Sequence, residues 1–423
     1  MNSKETNILS IQAKTYLIKI VVFFILTGVV FSCKKDDTEI IDNRTPKELL
    51  THKLDSINLI GAINGFGVSI VSQNGTLYQK GFGYADVESK TEYTTTTLQP
   101  IASVSKTFLG LALLKAQEEG KLNIDDSINK YLPFKVYNPY YPDIPITIRH
   151  LASHTSTLDD TEYYDARSYI LRDNINYDKE LLKEYGIIFN DPSQEISMPA
   201  FLENIFSKKG DWYDQENFLN AEPGKIFNYS NTGAGLAGYI IELATGVPYK
   251  NYIAKNILEP LHMSSTGLFF EDIDEENLST LYFGYDFILP RYSCITYPDG
   301  SIITSIADMS LYLIELIKGY SKEGVVLKDE SYSELYKPYF DHGSGSSDIY
   351  DDEYNNGIFM GITPISYFGH TGSDPGIAVF MFFNPVTKIG KILMINRSLT
   401  SNKSYHQFMS IWETLAEYEN KIN

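Results

Sequence analysis

Phe108, Leu109, Leu111, Leu113 and Leu114 follow one another with little polar relief between Pro100 and Gly120. A segment apolar on every side predicts a buried helix that Gly120 stops. Upstream, Thr45-Pro46-Lys47-Glu48 forms a capping box with proline at the first helical position, so a helix starts there. Asn74-Gly75, set between Phe66–Val71 and Thr76–Tyr84, predicts a hairpin. Residues from about 105 to 290 read as mostly helical and loop-rich. A helix follows near Ile306–Lys318, then strands near Ile358–Ile362, Ala378–Phe383 and Lys391–Asn396, and a closing helix around Tyr405–Tyr418. Sheet-forming ends around a helical insert imply an α+β fold, with an antiparallel sheet flanked by terminal helices plus an all-α lobe. No internal repeat or low-complexity segment interrupts it.

The buried helix begins at Ser103-Val104-Ser105-Lys106. Serine is a poor nucleophile near neutral pH and needs a base and an oxyanion stabiliser. Positions i and i+3 share a helix face, so Ser103 and Lys106 should touch. In the first turn, free backbone N–H groups and the helix dipole would favour developing negative charge. Ser127-Ile128-Asn129-Lys130 repeats the spacing in a hydrophilic run and reads as chance. Tyr229-Ser230-Asn231 follows a Glu222-Pro223-Gly224-Lys225 turn and precedes a glycine-rich apolar helix, which predicts a tyrosine on an exposed corner. Tyr249-Lys250-Asn251 and Tyr354-Asn355-Asn356 share its pattern but not its setting. His370-Thr371-Gly372 occurs once and leads, through Ser373-Asp374-Pro375-Gly376, into a strand-like run from Ile377 to Phe383.

These three elements, in this order, resemble the beta-lactamase-related serine hydrolases, the group of class C beta-lactamases, D-Ala-D-Ala carboxypeptidases, D-aminopeptidases and related esterases. Ile146–Leu151 leading into His154-Thr155-Ser156, and Thr304–Met309 before an apolar helix, extend the resemblance from about residue 45 to the end. It implies a β-lactamase/transpeptidase-like fold. It also implies Ser103 as acylated nucleophile, Lys106 as its proton partner, Tyr229 as general base and Asn231 as a guide for Lys106 and a substrate amide. His370 stands where the beta-lactamases hold lysine, as in the peptidase and esterase branches. The N–H groups of Ser103 and Ser373 would form the oxyanion hole, with Thr371, Gly372 and the strand beyond lining the cleft. Two cations, Lys106 and His370, would lower the Tyr229 phenol from about 10.

Thr157 departs from the pattern, standing where many relatives have glycine. Glu216-Asn217-Phe218-Leu219-Asn220 mimics a class A penicillinase segment but precedes Tyr229 instead of following the second motif, and reads as structural. His150 and His154 have metal-ligand spacing, yet no glutamate follows His150 and no third ligand is evident, so packing or hydrogen bonding is expected. The sequence carries no glycine-rich phosphate loop, Cys-x-x-Cys or basic-aromatic patch, so no cofactor, metal or nucleic acid is expected.

Lys4, Lys14 and Lys19 precede an uncharged run from Ile20 to Ser32, a signal-peptide pattern too short to span a bilayer, which takes about 20 residues. Val30-Phe31-Ser32-Cys33 resembles a lipobox. The expected layout is therefore a lipoprotein signal over 1–32, a lipidated tether over 33–44 beginning at Cys33, and a catalytic domain over 45–423. Lys34-Lys35-Asp36-Asp37 resembles an acidic export tag, so a lipid-anchored protein of the bacterial outer membrane is expected, on its periplasmic or cell-surface side. With Cys33 so employed, Cys294 has no partner and should be a small buried residue. Hydrophobic content of 43% with 21% charged residues suits a folded soluble enzyme, and a net charge of −19 argues against binding polyanions. The expected activity is a serine hydrolase of D-amino-acid peptides or esters. A true beta-lactamase and a non-catalytic surface-binding protein are the alternatives.

Overall fold

The computed structural model describes residues 43–340 and 348–422. The expected signal segment and Cys33 lie outside the described residues. From Arg44 onward the chain forms one unit. Helix α1, Pro46–Asn58, begins at the expected capping box, with Glu48 Oε2 accepting from Thr45 N at 2.7 Å. Strands β1 (Gly65–Ser72) and β2 (Gly75–Asp86) form the expected hairpin. With β3 (Thr91–Glu92), β4 (Asn355–Asn356), β5 (Gly361–Ile362), β6 (Phe368–Asp374), β7 (Ile377–Asn384) and β8 (Ile389–Ile395) they build an antiparallel sheet. Its order is β3-β2-β1-β8-β7-β6-β5-β4. The chain thus closes through its middle, where β1 pairs with β8 from Phe66↔Ile395 to Ser72↔Ile389.

Alternation along β1 explains the layers, because successive side chains point to opposite faces. Phe66, Val68 and Ile70 join Leu50 and Leu54 of α1 and Phe408, Ile411, Trp412 and Leu415 of the C-terminal helix α5, Asn402–Tyr418, in one apolar cluster. On the other face the residues are small. A Cβ on Gly67 would come within 2.4 Å of Ile306, and Ser310 Oγ donates to Ser69 Oγ at 2.8 Å. Helix α4, Ile306–Tyr320, therefore lies close against the sheet.

Beyond α4 sits the helical lobe and the larger apolar cluster. Helix α2, Ser105–Glu118, is buried along nearly its whole length, as its composition demanded, and Phe108 stacks on Tyr312 of α4 with centroids 3.6 Å apart. Helix α3, Asn231–Thr245, packs beside it. The lobe also carries a small sheet of Tyr169–Leu171, Phe189–Asn190 and Tyr292–Cys294. Tyr169–Leu171 pairs with Tyr292–Cys294 across more than a hundred positions, so local periodicity gives no sign of that pairing. The strand expected over Ile358–Ile362 shortens to Gly361–Ile362, because Phe359 turns left-handed at φ +50°.

Trp412 is fully buried against Phe380, Phe382 and Tyr350. Trp412→Ala should lower unfolding stability by about 3–5 kcal/mol, read by chemical denaturation. An unchanged midpoint would contradict this role for the aromatic clamp.

Candidate active site

Ser103 sits one step earlier than its spacing implied. Helix α2 starts at Ser105, and Ser103 occupies a single 3₁₀ turn, Ala102–Val104, that leads into it. Ala102 enters that turn at φ +49°, a left-handed conformation costly for a residue with a Cβ. Ile101 N donates to Ile302 O at 2.9 Å and anchors the bend. Residues three apart eclipse in a 3₁₀ turn, so Ser103 still faces Lys106.

Lys106 is wholly buried, and its amine is held by three acceptors. It donates to Ser103 Oγ at 3.1 Å, Asn231 Oδ1 at 2.7 Å and the Asp299 carbonyl at 2.8 Å. An ammonium has three protons, so the cage satisfies each of them. Burial pulls the amine below its ordinary pKa, while the carboxylates of Asp299, Asp374 and Asp160 pull the other way.

Asn231 is fixed from outside its own helix. Asp160 accepts from Asn231 N at 2.6 Å, Thr232 N at 3.0 Å and Thr232 Oγ1 at 2.6 Å, placing a carboxylate at the N-terminus of α3. His154, left-handed at φ +55°, accepts at Nδ1 from Ser230 N at 3.2 Å, and its ring stacks on Tyr229 at 4.4 Å. Tyr229 is thus no exposed corner. Its hydroxyl is shielded from solvent and makes no hydrogen bond among the described residues, and its ring lies 5.0 Å from the Lys106 amine.

His370 arrives on β6, its ring 6.1 Å from that of Tyr229. β5 pairs with β6 only at Phe368 and Gly369. Beyond them the strand packs on the serine turn. A Cβ on Gly372 would stand 2.3 Å from Ile101 O, so only glycine admits this approach. His370 Nδ1 faces two acceptors, the Thr371 carbonyl and Asp352 Oδ2, the latter at 3.2 Å. The proton therefore sits on Nδ1, and Nε2 keeps its lone pair. Asp352 also accepts from Thr371 N at 2.6 Å and Thr371 Oγ1 at 3.0 Å, which ties down the whole motif. Ser373, next along, is exposed.

The structure corrects the expected electrostatics. Burial, then the Lys106 charge, pushes the His370 imidazole down to about 3, so it is neutral and not a second cation. Burial raises the Tyr229 phenol well above its ordinary range. Asp352 is raised by burial to about 6 and Asp299 to about 7.

Other expectations resolve locally. Ser127 caps a surface 3₁₀ turn, and Lys130 pairs with Asp126 at 2.6 Å. Asn217 is structural, its amide donating to the carbonyls of Ile205 and Trp212, both at 2.9 Å. His150 accepts from Thr147 N within a capping box. Thr157 adopts φ +68°, a conformation that favours glycine, and its hydroxyl accepts from buried Asn138 at 2.8 Å. Cys294 is buried and free. Sequence reasoning missed Asp160, Asp299 and Asp352. Asp299-Gly300 had a turn signature, whereas Asp352 lies in an acidic run without one.

Two outcomes follow from this geometry. Carbon-13 histidine NMR, with His370→Gln assigning the resonance, should show a neutral Nδ1–H imidazole from pH 5 to 8, since a pKa of about 3 lies below that window; a midpoint near 6.5 would contradict the burial argument. Gly372→Ala should leave the protein folded by circular dichroism but slow acylation of Ser103 by a fluorophosphonate about 100-fold, because the turn must shift. An unaltered rate would show that the close approach is not required.

Residues 48–415 match the family model described as Beta-lactamase. The chain is 26% identical over 388 residues to protein flp of Staphylococcus aureus (strain N315), covering 86% of this chain and 68% of that protein. The octameric penicillin-binding protein homologue from Pyrococcus abyssi is similar in structure, with a TM-score of 0.63 at 25% identity over 88% of this chain and 77% of that one. D-amino acid amidase from Ochrobactrum anthropi SV3 shares the fold, at a TM-score of 0.62 and 19% identity over 87% of this chain and 99% of its own. The protein therefore belongs to the Beta-lactamase family and has that family's serine hydrolase fold.

Proposed function

We propose that the protein hydrolyses D-amino-acid peptides or esters through an acyl-enzyme on Ser103. The observation that carries this reading is the buried Lys106 amine, caged by Asn231 and the Asp299 carbonyl, 3.1 Å from the Ser103 hydroxyl. An amine held there and drawn below its ordinary pKa suits proton transfer from serine.

In the proposed sequence, the Lys106 ammonium first gives up one of its three protons to solvent, Ser103 Oγ then attacks the substrate carbonyl, and the serine proton passes to the amine so freed. The backbone N–H groups of Ser103 and Ser373 hold the oxyanion. Tyr229, protonated at rest, gives its proton to the departing nitrogen or oxygen, and Lys106 returns a proton to the phenolate. The raised phenol pKa supports this order, with Tyr229 as donor to the leaving group. Water then attacks the ester, loses its proton through the same pair and releases the acid, restoring the serine. Neutral His370, fixed by Asp352, offers Nε2 as an acceptor where a lysine would offer charge. That difference favours peptidase or esterase chemistry over a beta-lactamase.

Ser103→Ala should abolish covalent labelling by a fluorophosphonate, seen by intact mass, and lower turnover by about 10⁴-fold or more. Persistent labelling would overturn the assignment. Parallel assays with a penicillin, a D-Ala-D-Ala peptide and a p-nitrophenyl ester identify the branch. Fast turnover of penicillin would replace the peptidase reading with a beta-lactamase, and inertness toward all three would favour a binding protein.

A further inference from the structure

A cavity of about 290 Å³ opens beside Ser373, one of the two residues proposed to hold the oxyanion. Its wall includes Ser373 and Asp374 of β6, and Tyr164, Asp165, Ser168 and Tyr169 of the lobe. Ser373 directly follows Gly372, which rests on the turn bearing Ser103. A substrate whose carbonyl reaches Ser103 would therefore extend its acyl side into this space.

The cavity is acidic, and its carboxylates have no ion-pair partner. Among the described residues, the aspartates that form ion pairs are Asp55, Asp125, Asp126, Asp272 and Asp352. Asp374 instead accepts a neutral hydrogen bond at Oδ1 from Tyr169 Oη at 2.7 Å. Burial, then the negative charge of Asp160 and Asp159, raises the Asp165 carboxyl above its ordinary range. Lys106 is close enough to bias Asp374, but its own protons are already placed. A second, independent sign comes from Ser168. It is 1% exposed and borders the same cavity, and its buried hydroxyl has no hydrogen-bond partner among the described residues. Buried hydroxyls are ordinarily satisfied, so this one points to an absent polar ligand.

We propose that the cavity binds the free, protonated α-amino group of the substrate, with Asp374 as its main counter-charge, Asp165 at the rim and the Ser168 hydroxyl as a further acceptor. This rests on the hydrolase reading and narrows its substrate class to amides, esters or peptides of an amino acid with an unblocked amine. A volume at the lower end for small-molecule sites suits one residue better than an extended peptide.

The test compares D-alanine p-nitroanilide with its N-acetyl derivative, which differs by loss of the charge. Wild-type kcat/KM should be at least about 100-fold higher for the free amine, the range measured when a buried charge loses its partner. Asp374→Asn and, separately, Asp165→Asn should shrink that ratio at least about tenfold for Asp374 and less for Asp165, chiefly through KM. Equal turnover of the two anilides, or a ratio unmoved by Asp374→Asn, would overturn the proposal. Should neither anilide turn over, D-alaninamide at millimolar concentration should still slow fluorophosphonate labelling of Ser103 while N-acetyl-D-alaninamide does not. Normal labelling with no protection by either removes the amine site and leaves the hydrolase reading intact. Absence of labelling removes the hydrolase reading itself.

Discussion

Placing an amine in a protein interior costs several kcal/mol in lost hydration unless each of its protons finds an acceptor and opposite charge lies near. Lys106 meets both conditions, and much of the surrounding architecture exists to meet them. Its three acceptors come from three parts of the chain: the serine turn, the first residue of α3, and the Asp299 turn. None of the three can shift without uncovering the amine. The Ser103 hydroxyl, the asparagine and the backbone carbonyl are thereby held in register by a single side chain.

The surrounding carboxylates complete that arrangement. Asp160, Asp299 and Asp374 oppose the loss of charge that burial would force on Lys106, and burial raises all three acids in return. The result is a site whose groups sit away from their ordinary ranges in opposite directions, a condition that favours proton exchange near neutral pH. A neutral His370 belongs to the same balance. Burial and the neighbouring Lys106 charge keep the imidazole uncharged, and its one N–H faces Thr371 O and Asp352.

Backbone shape carries as much of the site as charge does. Ala102, His154 and Thr157 all adopt left-handed conformations without being glycine, and all lie in the segments that present Ser103 and brace Tyr229. Such strain persists only where surrounding packing enforces it, and here buried α2 and the sheet supply that packing. Gly372 supplies the complementary freedom, letting β6 press against the turn where any side chain would collide.

Local pattern was enough to determine the capping box, the hairpin, the buried helix and the terminal helices, because each depends on neighbours a few positions away. Ser103 and Lys106 met for the same reason. What folding alone decided was the company those residues keep. Asp160, Asp299 and Asp352 reach the site from loops whose local sequence carries no functional signature, and the cavity beside Ser373 joins strand and lobe segments some two hundred positions apart. Protonation followed the same division. Tyr229 and His370 looked exposed and cationic in sequence, but their pKa values are set by how deeply each ring is buried and what surrounds it, and burial is a property of the assembled chain.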